Sequence, residues 1–201
     1  MKQIKNIYEK YLNTMKIYFD TEFTGLHKDT TLISIGLVDE NGQTFYAEFS
    51  DYDESQCDKW IRENVIKHLK WSIEGPLEDF SNIYGYNWEA FGSKEYIKIL
   101  LADWLSQYEE VELVSDCCHY DMVLFIDIFG NAFDIPKHVN PVCYDINQDI
   151  AKYFKTSERE AFDMSREQIL DHYDIKITGN KHNSLYDAKV IKEIYNLINY
   201  E

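Results

Sequence analysis

The chain has 201 residues, 45% of them hydrophobic and 28% charged. That is the makeup of one globular domain, or of one domain with an appendage. Its 36 acidic and 20 basic side chains leave a net charge of −16, which excludes a broad cationic footprint on duplex DNA. An anionic substrate has to be held through local cations or bound metal. No apolar run nears the ~18 residues of a membrane helix, and the N-terminal MKQIKNIYEKYLNT lacks the apolar segment of a secretory signal. The cysteines, Cys57, Cys117, Cys118 and Cys143, lack paired spacing and read as reduced thiols of a cytoplasmic protein.

Ile4, Ile7, Tyr8 and Tyr11 recur at helical spacing, so residues 1–14 predict a helical extension ahead of a main domain over 15–201. Lys16–Phe23 (KIYFDTEF), Thr31–Asp39 (TLISIGLVD) and Gln43–Phe49 (QTFYAEF) predict three strands. Asn41-Gly42 tolerates positive φ and predicts the tight turn between the second and third, giving an antiparallel meander. A helix is expected near Ser55–Lys70, with Trp60, Ile61, Val65 and Leu69 inward. Residues 74–92 are aromatic-rich and read as irregular; Phe80, Tyr84, Tyr86, Trp88 and Phe91 there suit either a stacking platform for bases or an apolar flap. A helix near Ser93–Gln107, a strand at Val111–Ser115, a helix over Asp121–Phe129 and a fifth strand near Pro141–Ile146 follow. Ser165 and Gln168 have the S-x-x-Q spacing of a capping box, which predicts a short helix starting there. The last helix, about Asn183–Asn199, carries an apolar face of Leu185, Ala188, Ile191, Ile194, Tyr195 and Ile198. The order predicts an α/β fold, a mixed five-stranded sheet flanked by helices.

Three places carry chemistry. Strand alternation puts Asp20 and Glu22 on one face, where a hard divalent cation such as Mg²⁺ or Mn²⁺ would relieve their repulsion. Chance alone supplies roughly 1.6 such D-x-E triplets in a chain this acidic, so a solvated face is the competing reading. His182 stands five residues before Asp187 at the start of the last helix. Both could be surface groups, the aspartate favouring the helix dipole, but the apolar neighbours of Asp187 place it on a core helix. A histidine just before that helix suits proton removal near neutral pH. Asp121 opens the helix after the fourth strand, as a first-turn acid or as a third site carboxylate.

Taken together, DTEFTGL (20–26), HYD (119–121) and HNSLYDA (182–188) resemble the three motifs of the DnaQ-like DEDDh 3′–5′ exonucleases, in particular the small standalone bacterial and phage exoribonucleases. The resemblance implies an RNase H-like fold, with the meander followed by two parallel strands. It implies two Mg²⁺ or Mn²⁺ ions, about 4 Å apart in such sites. Asp20 would bridge them, Glu22 and Asp187 would complete the first site, and Asp121 would support the second. His182 would take the proton from the attacking water. Thr24, Gly25 and Leu26 would meet the 3′-terminal nucleotide, Thr24 and the backbone at the sugar and Leu26 at the base. The family often has Asn ahead of the second motif's aromatic-Asp pair, whereas Asp116 stands at that place here; Asp116 and Asp127 are the substitutes for Asp121.

The expected activity is therefore a metal-dependent 3′–5′ exoribonuclease acting on a single-stranded RNA end or a 3′ overhang, with no membrane partner and with a homodimer as a possible assembly. A DNA-directed proofreading-type exonuclease uses the same motif residues. A non-catalytic acidic mimic of nucleic acid fits the charge of −16, but it has no need of the Asp20, Glu22, Asp121, His182 and Asp187 set.

Overall fold

A computed structural model describes residues 14–71 and 78–200 of the chain. The predicted N-terminal helix lies outside the described residues, except that Thr14 opens the first strand. In chain order the elements are β1 (Thr14–Phe23), β2 (Leu32–Asp39), β3 (Thr44–Phe49), α1 (Lys59–Asn64), β4 (Phe80–Tyr84), β5 (Asn87–Gly92), α2 (Lys94–Leu105), β6 (Glu110–Ser115), α3 (Cys118–Phe129), β7 (Val139–Asp145), α4 (Asn147–Phe154), α5 (Glu158–Asp163), α6 (Arg166–His172) and α7 (Ser184–Tyr200).

The expected α/β class holds, with a larger sheet than expected. Seven strands are ordered β4-β5-β3-β2-β1-β6-β7. The meander β1-β2-β3 is antiparallel, and β6 and β7 run parallel to β1. The two extra strands come from the segment expected to be irregular. Residues 80–92 form a hairpin, and β5 adds to β3 in parallel. Gly85 at φ +64 makes the two-residue turn possible. The hairpin tip lies at the end of the sheet opposite to the C-terminus of β1, so Tyr84 and Tyr86 stack nowhere near Asp20.

Alternation along β1 decides what faces what. Ile17 and Phe19 enter the core under α2 and α3, with Leu101, Trp104, Phe125 and Phe129. Tyr18 enters the second core, under α4 and α7, with Ile150, Ala188, Ile191 and Ile194. Asp20 and Glu22 continue the Tyr18 face and so point towards α7.

Two helices differ from expectation. The stretch 55–70 is one α-helical segment, α1, between 3-10 turns at Glu54–Gln56 and Ile66–His68. Ile61, Val65 and Leu69 are buried beneath it as expected, but Trp60 is 51% exposed. Ser165 caps α6 through Gln168 N–H, while the reciprocal capping box forms one helix earlier, between Ser157 and Glu160. The four cysteines are free, and no helix among the described residues is long and apolar enough to cross a membrane.

Candidate active site

The C-terminal end of β1 opens into a cleft of about 320 Å³ lined by Asp20, Glu22, Asp116, Asp121, His182 and Asp187, with Arg166, Glu167 and Lys181 on its wall. Three parts of the chain are brought together here. β1 supplies Asp20 and Glu22. The first turn of α3 supplies Asp121, where the unpaired N–H groups favour an acid. The start of α7 supplies Asp187.

The approach of α7 rests on Gly36 in β2. A β-carbon there would lie 2.2 Å from the Leu185 nitrogen and 2.4 Å from the Ser184 carbonyl carbon. Beside it the hydroxyls of Ser34 and Ser184 are hydrogen-bonded at 2.9 Å. Asn183 caps the helix, its Oδ1 accepting the Tyr186 N–H at 3.2 Å, and its Nδ2 donates to the Tyr46 hydroxyl. His182 precedes the cap in a left-handed conformation, φ +62. The Trp60 ring meets its imidazole edge-on at 5.0 Å, which explains why Trp60 is not in the core.

Potential ligand atoms fall into two groups, each with its atoms within 4.8 Å of one another: Glu22, His182 and Asp187, and Asp20, Asp116 and Asp121. The sequence expectation placed Asp20, Glu22, Asp121, His182 and Asp187 at one site, and the structure brings all five together. Asp116 joins them. Asp127, the other substitute considered, is on the surface and pairs with Lys94 at 2.9 Å.

Asp121 is buried and held by donors on both oxygens. The N–H and hydroxyl of Thr21 reach Oδ1 at 3.2 and 2.6 Å, and the Ser115 hydroxyl donates to Oδ2. Burial pushes its pKa up to about 7 against the pull of those donors. Burial pushes Asp187 up to about 7 as well, although the His182 N–H stabilises its anion. Asp20 and Glu22 are raised far above the carboxylate range, first by burial and then by their acidic neighbours. So many facing carboxylates in a half-closed cleft could hold cations: hard oxygen donors at this density fit Mg²⁺ or Mn²⁺. The His182 imidazole is pushed down, by burial first and then by Lys181.

The loop after β1 is built around Thr24. Its buried hydroxyl donates to Gln56 Oε1 at 2.5 Å and accepts the Thr31 N–H at 2.9 Å. Gly25 is half-buried, and Leu26 stands 77% exposed beyond it. Trp60, Gly36 and Arg166 were not singled out as site residues from the sequence. Arg166 lies in a stretch that reads as a helix cap, and no local signal marks its contact 50 residues away.

Residues 15–198 match the 3′-5′ exoribonuclease Rv2179c-like domain. The chain belongs to that family. The 3′-5′ exoribonuclease Rv2179c of Mycobacterium tuberculosis H37Rv is 29% identical over 109 residues, 49% of this chain and 59% of that protein. The match thus spans about three fifths of the relative's length. Among solved structures, the nuclease domain of 3′hExo, a DEDDh family member bound to rAMP, has a TM-score of 0.59 at 14% identity, covering 91% of this chain and 90% of that one. Schizosaccharomyces pombe Pop2p in its Mg²⁺- and Mn²⁺-bound form has a TM-score of 0.59 at 15% identity, covering 100% of this chain and 88% of that one. These neighbours share the fold of this Rv2179c-like domain.

Proposed function

We propose that this chain is a metal-dependent 3′–5′ exoribonuclease that releases nucleoside 5′-monophosphates from RNA ends. The observation that carries the reading is the pair of ligand groupings, Asp20–Asp116–Asp121 and Glu22–His182–Asp187, in one cleft. Two divalent cations there, Mg²⁺ or Mn²⁺, would supply charge neutralisation at the scissile phosphate and at the leaving oxygen. Asp20, Glu22, Asp121 and Asp187 would hold them. His182, whose imidazole burial and Lys181 push towards the neutral form, accepts the proton of the attacking water. Gly25 lets the backbone approach the 3′-terminal sugar, and Leu26 offers an apolar contact that any base can use. Thr24, whose hydroxyl is engaged by Gln56 and the Thr31 N–H, shapes that loop and meets the nucleotide through its backbone. The acidic surface leaves few phosphate contacts, which favours short or single-stranded 3′ ends over duplex DNA. The name of the mycobacterial relative supports RNA over DNA.

The test is cleavage of 5′-labelled single-stranded RNA and DNA of one sequence, with Mg²⁺, Mn²⁺ or chelator. The expected result is an RNA ladder shortening from the 3′ end, abolished by chelator and by Asp20→Ala, with DNA slower. Folded protein that leaves RNA intact in both metals overturns the reading.

A further inference from the structure

Asp116 and Arg166 form an ion pair on the wall of the cleft, outside the four carboxylates just named. Nε of Arg166 donates to Oδ2 of Asp116 at 2.9 Å. The rest of the guanidinium is fixed by the protein. Nη1 donates to the carbonyls of Ala161 and Met164 at 2.7 and 3.1 Å, and Nη2 to Oδ1 of Asn147 at 2.5 Å. Nδ2 of Asn147 donates in turn to the Asp116 carbonyl at 2.7 Å and to Oδ1 of Asp145 at 2.8 Å. Arg166 is only 9% exposed. An arginine with this many fixed partners does not swing to follow a substrate. It is a rigid mount for the carboxylate it holds.

Asp116 is aimed at the acids. One of its oxygens clusters with one each of Asp20 and Asp121. The single N–H from Arg166 occupies one of about four acceptor sites on a carboxylate. Asp121 is more committed: Oδ1 already accepts two hydrogen bonds and Oδ2 a third. The acceptor capacity facing Asp20 therefore comes largely from Asp116. The guanidinium also offsets the fifth negative charge that Asp116 brings.

We propose that Asp116 is a fifth carboxylate ligand, serving the cation held between Asp20 and Asp121, and that Arg166 is the positioning residue that fixes it. The inference rests on the metal-dependent reading above.

Calorimetric titration of the full chain with Mn²⁺, without RNA, tests it. The wild type is expected to bind two ions. Asp116→Asn keeps an oxygen for Arg166 to bond, so the mount survives. It is expected to weaken one binding event by about tenfold or more and to leave the other unchanged. Arg166→Lys keeps the charge but loses the planar fork; it should weaken the same event, and the double variant should be no weaker than the worse single one. Two ions bound with wild-type affinity by Asp116→Asn overturn the inference and leave the nuclease reading standing. Fully additive effects overturn the role of Arg166. A wild type that binds no Mn²⁺ overturns both readings. Should Arg166→Lys fail to fold, the Asp116→Asn titration decides alone.

Discussion

The backbone N–H of His182 donates to Oδ2 of Asp187 at 2.8 Å. One hydrogen bond thus ties the proposed base to a proposed metal ligand, across the start of α7. It also helps hold His182 at φ +62, a conformation that costs a residue with a side chain on the order of 1–3 kcal/mol. The site accepts that cost because the turn sends the imidazole into the cleft while the helix carries the carboxylate.

His182→Asn separates the base from the turn. Asparagine tolerates left-handed backbone and keeps the N–H for Asp187. The expected result is a loss of about 10²–10⁴ in kcat with little change in Tm. A kcat within about tenfold of wild type in single-turnover assays would show that His182 is not the base.

Metal-free protein should lose stability as pH rises. Asp121 and Asp187 move from an ordinary 3.8 to about 7 on folding. Between those values the folded state binds more protons than the unfolded one, so stability falls with rising pH, and the contribution of these two groups levels off above about 7. In chelator, Tm is expected to drop by about 5 °C or more between pH 5 and 7.5. Saturating Mn²⁺, which binds the folded anionic cluster, should flatten or reverse the slope, and Asp121→Asn should reduce it. A chelator Tm that rises over this window contradicts the burial argument.

The fold class is legible in the sequence because it follows local periodicity, and the site residues because their three motifs resemble those of a known family. Alternation puts Asp20 and Glu22 on one face of β1, and the apolar stripe of α7 puts Asp187 on a core helix; that Asp121, His182 and Asp187 meet the β1 acids is implied by the resemblance of the three motifs, not by periodicity. What is not legible depends on distant partners. The aromatics of 80–92 look irregular until β3 supplies an edge for β5 to pair with. Trp60 fits an inward helical position by spacing alone, and only the placement of His182 shows why it stays outside. Asp116 and Arg166 are 50 residues apart, so nothing local in either sequence neighbourhood marks the pair.

Gly36→Ala tests whether close packing of α7 on β2 sets the site. The added carbon would strike helix backbone at 2.2 Å, which cannot rotate away as a side-chain end could. The expected cost is about 1–3 kcal/mol, with kcat reduced by roughly 10² at temperatures where the variant is folded, because an ångström-scale shift of His182 and Asp187 suffices. Gly85→Ala is the contrast. Its φ of +64 makes it strained too, but it sits at the far end of the sheet, so it should lower Tm and leave kcat unchanged. Equal activity losses in the two variants would mean that general destabilisation, not displacement of α7, is being measured.

Leu26 offers a large apolar side chain to solvent, 77% exposed, three residues after Phe23 of the cleft wall, with the loop behind it fixed by Thr24 and Gln56. A core role is therefore absent, and truncation should cost little stability. If the side chain lies against the 3′-terminal base, Leu26→Ala loses that contact in ground state and transition state alike. KM for RNA is then expected to rise about five- to tenfold with kcat nearly constant, for all four terminal bases, since an apolar face does not read hydrogen-bond patterns. Steady-state kinetics on four oligonucleotides that differ only at the 3′ base checks this. A penalty confined to one base would mean that the loop discriminates bases, and an unchanged KM would remove Leu26 from the substrate contact.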